Sequence, residues 1–326
     1  MGFFFQNYTV ESIIMLFGLI ALLVVLNELT RKNKWVALVF FVACPIIIVA
    51  LIIADVINTP SAATWFGVVK TYSALAGVLG FMLIRYFDKI GKSKFAFYFP
   101  VAILGINILE AMYHEIEIFV KYQTPITDSA GLYMQGGAWN IINTVAGLFL
   151  LLSMTGFMGI KVAKTKSRDM VWADQLWFWI IAYDLWNISY CYNSIANRAM
   201  YAGVAIIVAC TLCELFCQRG AWLQHRAHTL ALFGMFSLAF DYSSFGSFSI
   251  TSSYDPNALL TVSILSLIAN VAVFAYELYI IIKKKRNPLK EEMFTHLRAY
   301  RRNLDCNGLL VPKFDDEELV LVKNND

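Results

Sequence analysis

Nine stretches of the chain are apolar over lengths near twenty residues: 11–29, 35–57, 64–86, 96–120, 138–160, 172–193, 199–217, 222–241 and 258–282. Within each stretch the apolar residues run on without alternating. A helix rises 1.5 Å per residue, so roughly twenty apolar residues match a hydrocarbon core of about 30 Å. Ten-residue segments of alternating polarity, the mark of a membrane β-barrel, do not occur. The pattern predicts an all-α fold: a polytopic transmembrane helical bundle of about nine spans. The eighth stretch is the least apolar, because it opens with "WLQHRAH". The first is expected to remain as an uncleaved span, since "MGFFFQNYTVES" holds no Lys or Arg and no small-residue cleavage site follows.

Basic residues divide the connecting loops into two classes. Arg31, Lys32 and Lys34 follow the first stretch; Arg85, Lys89, Lys92 and Lys94 follow the third. Lys161, Lys164, Lys166 and Arg168 follow the fifth, and Arg219 follows the seventh. The N-terminus and the remaining loops hold only Lys121 and Arg198. Cytoplasmic loops are the basic ones, so this alternation predicts an N-terminus outside and a C-terminus in the cytoplasm. Residues 1–283 are then the transmembrane domain and 284–326 a cytoplasmic tail. In that tail Lys283–Arg286 form a basic stop. Leu289, Met293, Phe294, Leu297 and Tyr300 recur at helical spacing, as in an amphipathic helix resting on anionic lipid. The terminal "FDDEELVLVKNND" reads as a loosely ordered acidic end.

Composition supports the same class. Of 326 residues 59% are hydrophobic and 15% charged, a charge content low for a soluble domain. The expected surroundings are a lipid bilayer, and a net charge of +3 gives no reason to expect nucleic acid. "SALAGVLG" places Ser73, Ala76, Gly77 and Gly80 as small-xxx-small pairs, predicting close helix packing with the third span at the bundle centre.

Orientation assigns each polar residue a depth. Lys70 and Tyr72, Asn107 and Glu110, Asn140 and Asn143, and Asp184, Asn187 and Tyr190 all fall between the midplane and the outer surface, on spans three to six. A carboxylate at a helix centre costs about 2.5–3.5 kcal/mol on insertion scales, so these groups are expected to face one another. They predict an outward-facing polar cavity for a small-molecule ligand, with Lys70 as counter-charge to Asp184 or Glu110. His114 and Glu117 share the Asn107–Glu110 face. Trp172, Trp177, Trp179 and Trp186 crowd span six, where Trp186 is too deep to be an interfacial anchor.

A second cluster lies at the cytoplasmic side. His225 and His228 stand three residues apart near Arg226, and Glu28, Asp174 and Glu214 fall at inner span ends. Two imidazoles with carboxylates make a candidate metal site or proton relay. Cys210, Cys213 and Cys217 share a helical face and read as small packing residues. A phosphate-binding Gly loop, HExxH and a nucleophile elbow are all missing, which argues against a pump with its own nucleotide site. The sequence specifies neither a cofactor nor an oligomeric state.

"LNELTRKNKW", "KTYSALAGVLGFM", "WFWIIAYDLWNISYCYN", "RGAWLQHRAHTLAL" and "KRNPLKEEMFTHLRAY" together resemble a bacterial multi-pass membrane family catalogued as a domain of unknown function, over residues 20 to 300. The resemblance implies a bacterial cytoplasmic membrane protein and implies no activity. Three functions fit the residues: a small-solute transporter or ligand sensor, with proton coupling through Asp184 and Glu110; a membrane-embedded enzyme acting on a lipid through His225 and His228; and a structural or assembly protein. The first is expected, with Asp184→Asn abolishing uptake or ligand-induced stabilisation.

Overall fold

The structure, a computed structural model, describes residues 2–128 and 131–311; the acidic end beginning at Phe314 lies outside them. Among the described residues, nine helices of 15 to 29 residues run between two opposite ends. They are α1 (Val10–Lys32), α2 (Lys34–Ile53), α3 (Trp65–Tyr86), α4 (Tyr98–Lys121), α5 (Ala138–Leu152), α6 (Trp177–Ser194), α7 (Met200–Cys217), α8 (Trp222–Ala239) and α9 (Pro256–Lys284). Thr9 starts α1 through a capping box: its Oγ1 accepts from the Ser12 amide at 3.0 Å, and Ser12 Oγ accepts from the Thr9 amide at 2.9 Å. In α2 a wide π-turn at Val39–Ala43 precedes Pro45, which offers no amide to an ordinary i−4 bond.

Short polar contacts define the two ends. At one, Arg85 Nη2 donates to the Arg31 carbonyl at 2.6 Å, Arg168 Nε to the Arg85 carbonyl at 2.8 Å and Asn307 Nδ2 to the Arg219 carbonyl at 2.8 Å. This basic end gathers the loops rich in Lys and Arg. At the far end Phe5–Gln6 pairs antiparallel with Thr251–Ser252, Thr59 Oγ1 donates to the Leu238 carbonyl at 2.8 Å, and Asn197 Oδ1 accepts from the Tyr133 amide at 3.3 Å.

The helices pack in two sets. α9 lies against α5 and α6, with α4 beside α5; α8 lies against α3, α7 and α1. The most enclosed are α6 and α8, and they are also the polar ones. α3, expected at the centre, lies between α8 and α4, with Thr71, Ala74, Val78 and Phe81 buried. Its small residues meet α4 on one face, where Gly80 lies under the Phe99 ring and Gly77 near Ile103. A third stripe leaves Val69, Leu79 and Leu83 exposed.

Among the described residues six segments are long and apolar enough to cross a membrane: Val10–Lys32, Lys34–Ile53, Trp65–Tyr86, Lys94–Lys121, Met200–Cys217 and Pro256–Lys284. Exposed Ile14, Phe17, Ile46, Ile53 and Ile282 line their outer faces. Water would not tolerate so many exposed aliphatics, and the chain is a membrane protein. α6 and α8, of 18 residues each, carry more polar residues and are enclosed by their neighbours over most of their length.

Two expected spans are shorter than drawn. α5 stops at Leu152, where Ser153 leads into Gly156 in the left-handed region at φ 69°. The segment from Trp172 to Leu176 is not helical. Its Trp172 amide donates to the Gly220 carbonyl at 2.9 Å, and the Trp172 indole donates to the Thr155 carbonyl at 3.1 Å. The tail, read from sequence either as a helix on anionic lipid or as a solvated tail helix, packs against the bundle. Leu289 is exposed, but Met293, Phe294 and Tyr300 are buried against Phe178, Tyr276 and Ile280. The tail helix, α10, is confined to Arg298–Asp305.

Candidate functional site

The polar residues of α3 to α6 do not form one cluster; they divide among four places. Tyr72 turns to α2, where its hydroxyl donates to the Pro45 carbonyl at 3.1 Å. Lys70 reaches α4: its Nζ donates to the Asn107 carbonyl at 2.9 Å and lies 3.5 Å from Glu110 Oε2. The expected Lys70–Glu110 pair is therefore present. Asp184 is elsewhere. Its Oδ2 accepts from Thr211 Oγ1 of α7 at 2.6 Å, and no bond or ion pair joins it to Lys70, Glu110 or Asn143 among the described residues.

Asn140 and Asn143 belong to a network centred on Glu115, which sequence reasoning passed over. Asn140 and Asn143 of α5 and Asn193 of α6 all donate to the Glu115 carboxylate, Asn143 at 3.0 Å and Asn193 at 3.3 Å. α9 closes the network: Ser266 Oγ donates to Asn143 Oδ1 at 2.8 Å, and Asn193 Nδ2 donates to Ser263 Oγ at 3.0 Å. Glu115 is 1% exposed. Three amide donors around one buried carboxylate satisfy a group that would otherwise be costly in lipid. Such a cluster holds four helices together.

The remaining predicted residues line a cavity. Lys70 on α3 and Asn187 and Tyr190 on α6 face a space of about 110 Å³ that is closed by α7 and α8. It lies in the far-end half of the bundle, between Ser61, Leu132 and Tyr242 at one limit and Arg226 at the other. The expected cavity wall of spans three to six is thus replaced by α3, α6, α7 and α8. α4 contributes indirectly, through Glu110 behind Lys70 and through His114, whose ring stacks on Phe66 at 4.4 Å and whose Nδ1 lies 3.2 Å from Tyr190 Oη. α7 approaches closely because Gly203 leaves room for Cys191; a Cβ there would sit 2.6 Å from Cys191 Cβ.

Arg226 was read from sequence only as a neighbour of the histidines, and it is the most unusual group in this cavity. It is 5% exposed, and its Nε donates to Tyr183 Oη at 3.2 Å. Its Nη1 has no hydrogen-bond partner. On the basic-end side of Arg226 lies a smaller space of about 30 Å³, lined by Asn107, Tyr183 and Leu223. Arg226 therefore stands between two voids.

Residues 6–305 match a family of unknown function, DUF5692. The chain belongs to the DUF5692 family. No curated protein and no solved structure matches it. Within this DUF5692 chain, the stretch 70–82 lies on α3, 177–193 forms most of α6, and 219–232 supplies the start of α8. These segments carry Lys70, Asn187, Tyr190 and Arg226.

The two histidines are committed to packing. His225 Nε2 lies 2.9 Å from the Gln218 carbonyl, an acceptor only, so this nitrogen carries the proton. Nδ1 then accepts from Asn27 Nδ2 at 3.0 Å. His228 Nδ1 bonds Thr30 Oγ1 at 3.0 Å, and its ring lies against Phe41. Both imidazoles thus fasten α8 to α1. Among the described residues no group of three His, Cys, Asp or Glu is arranged to hold a metal. Glu28 is held by Arg31 at 2.7 Å, Asp174 by the amides of Met293 and Phe294, and Glu214 by those of Gly220 and Ala221. The expected metal centre has no converging ligands.

Beside them, Asp169 joins α1 to the loop before α6. Arg31 Nη1 donates to its Oδ2 at 2.7 Å, Gln224 Nε2 to its Oδ1 at 2.8 Å, and Arg85 Nη2 lies at 3.7 Å. Burial alone would raise this carboxyl, but the guanidinium groups of Arg31 and Arg85 hold it below its ordinary value of 3.8.

Proposed function

We propose that this protein crosses the bacterial cytoplasmic membrane nine times, with its N-terminus outside and its tail in the cytoplasm. In this reading it binds a small solute in the cavity between α3, α6, α7 and α8, as a transporter or a ligand sensor. The single observation that carries the reading is that cavity. It lies in the far-end half of an otherwise packed bundle, and its lining combines Lys70, Asn187 and Tyr190 with apolar walls. Binding sites of small molecules are concave, mostly apolar and furnished with a few placed polar groups. The clustering of Lys and Arg at the opposite end supports a far end that faces outward.

Cysteine labelling tests access and orientation together. Ser237→Cys sits in the cavity wall, and the native Cys306 is exposed at the basic end. A membrane-impermeant maleimide should label Ser237→Cys in intact cells above the wild-type background, and Cys306 only after permeabilisation. The reverse pattern would overturn the orientation. Failure to label Ser237→Cys in either preparation would overturn the cavity reading. Leu230→Trp, which fills the space, should abolish uptake or ligand-induced stabilisation while insertion persists.

The Glu115 network favours a purely structural role for its own members: three asparagine amides are directed at one carboxylate, and the cluster ties α4, α5, α6 and α9.

A further inference from the structure

A guanidinium in a membrane bundle normally faces a carboxylate, because the cost of leaving it unpaired in low dielectric is high. Arg226 does not. No ion pair within 4 Å joins it to a carboxylate among the described residues. Among the described residues its one hydrogen bond goes to the neutral Tyr183 phenol, and Nη1 is left without a partner. Asp184 lies within electrostatic reach, but its bonded oxygen is taken by Thr211.

The cavity beside Arg226 repeats this imbalance. Lys70 and Arg198 also line it, and among the described residues no Asp or Glu does. Arg198 stands at the far-end limit, donating to Ser61 Oγ and Ser243 Oγ at 3.3 Å each. Lys70 is offset by Glu110 behind it, at the long distance of 3.5 Å. A solute moving from Arg198 towards Arg226 meets positive charge at both limits. Between them Phe66, Leu230 and Phe233 offer apolar contact, with hydrogen-bonding partners at Asn187 and Tyr190.

We propose that the cavity binds a small amphipathic organic anion, whose carboxylate or phosphate is held by Arg226 with help from Lys70 and whose apolar part lies against Phe66, Leu230 and Phe233. The planar fork of Arg226 suits both oxyanions, which bind guanidinium through paired, charge-assisted hydrogen bonds. The assignment rests on the solute-cavity reading above and adds the sign of the charge. The oxyanion can be free in solution or belong to an anionic lipid headgroup.

The full-length protein in phosphatidylcholine nanodiscs distinguishes these outcomes. The probes are benzoate, phenyl phosphate, benzyl alcohol and benzylammonium, which share a ring and differ in charge. Benzoate or phenyl phosphate should raise Tm and give a calorimetric binding signal, with benzyl alcohol weaker and benzylammonium inert. Arg226→Gln should weaken anion binding roughly tenfold or more, and Arg226→Lys should restore part of it. If Arg226→Gln does not fold, the charge series on the wild type decides alone. Equal or stronger binding of benzyl alcohol or benzylammonium overturns the anion assignment and leaves the solute cavity standing. Binding of none of the four also rejects the assignment; the cavity reading then rests on labelling of Ser237→Cys, which does not depend on charge. Nanodiscs containing phosphatidylglycerol separate the sources. If a headgroup is the occupant, that lipid stabilises the wild type more than Arg226→Gln and weakens benzoate binding. If the anion is free in solution, benzoate binding is unchanged.

Discussion

The side-chain amide of Asn143 donates to the Glu115 carboxylate over 3.0 Å, while its oxygen accepts from Ser266, so one asparagine bridges α5 to both α4 and α9. Asn140 and Asn193 complete the ring of donors. Glu115→Ala removes the only group all three share and strands buried amides. It should cost about 3 kcal/mol, in the range for removing one member of a buried charged network. Glu115→Gln keeps one acceptor oxygen but sets an NH2 against other NH2 groups, so a smaller loss of about 1–2 kcal/mol is expected. Unfolding in mild detergent measures both; an Ala variant as stable as the wild type would remove the network from any account of the bundle.

The long apolar helices were legible because uninterrupted apolar runs near twenty residues leave few alternatives in lipid, and six of them among the described residues are long and apolar enough to cross a membrane. Part of the grouping was legible too: Lys70, Asn187 and Tyr190 line one cavity. Which neighbour each face meets was not. Asp184 and Asn187 are three residues apart, yet the first bonds α7 and the second lines the cavity, because α7 wedges beside α6. Glu115 was hidden for the same reason. It lies off the Asn107–Glu110–His114 face, and only the approach of α5 and α6 gives it three partners. The tail's apolar spacing was visible at Met293, Phe294 and Tyr300, but spacing alone does not say whether lipid or protein covers it.

Asp169 gives a pH dependence of definite sign. Its carboxyl is held below 3.8 by Arg31 and Arg85, so the folded state favours the ionised form more than the unfolded chain does. The resulting stability is fully present above the ordinary carboxyl value and is lost as pH falls through the lowered one. Asp169→Asn should cost about 3 kcal/mol at neutral pH, since it leaves buried Arg85 without a carboxylate and Arg31 with Glu28 alone. A series of Tm values from pH 6 downward should fall more steeply below about pH 4 in the wild type than in this variant. Parallel curves would show that Asp169 is not a source of acid sensitivity.

Asp174 clamps the tail through two backbone amides, accepting from Met293 at 2.6 Å and Phe294 at 3.0 Å. Asp174→Ala should release the segment from Pro288 to Leu304 while leaving the nine helices in place. Limited proteolysis in the stretch 288–297 should then accelerate several-fold, and a global loss of about 1–3 kcal/mol is expected from the lost charge-assisted bonds. Unchanged cleavage would mean that the burial of Phe294 and Tyr300 suffices to hold the tail.

His225 and His228 should behave as structural residues. A chelator is expected to leave Tm unchanged, and elemental analysis of purified protein should find no stoichiometric zinc. His225→Ala removes bonds to both Asn27 and Gln218 and should cost about 2 kcal/mol, more than His228→Ala, which loses one bond to Thr30. Bound metal lost on substitution of either histidine would restore the metal reading.

Asp184→Asn separates the roles open to this carboxylate. Thr211 donates to one oxygen at 2.6 Å, and the amide oxygen of Asn accepts that bond equally well. Stability should therefore change by less than about 1 kcal/mol. Charge is another matter. Asp184 lies within electrostatic reach of Arg226 without an ion pair to it among the described residues, so in its ionised form it weakens the attraction of Arg226 for an incoming anion. Removing that negative charge should tighten benzoate binding by a few-fold, the order expected for a single charge acting through a partly polar interior. A transporter that moves protons through Asp184 would behave in the opposite way: binding would persist, but uptake driven by a proton gradient would fail. Calorimetry on the Asn variant, paired with uptake at two external pH values, therefore decides whether Asp184 tunes the site or drives it.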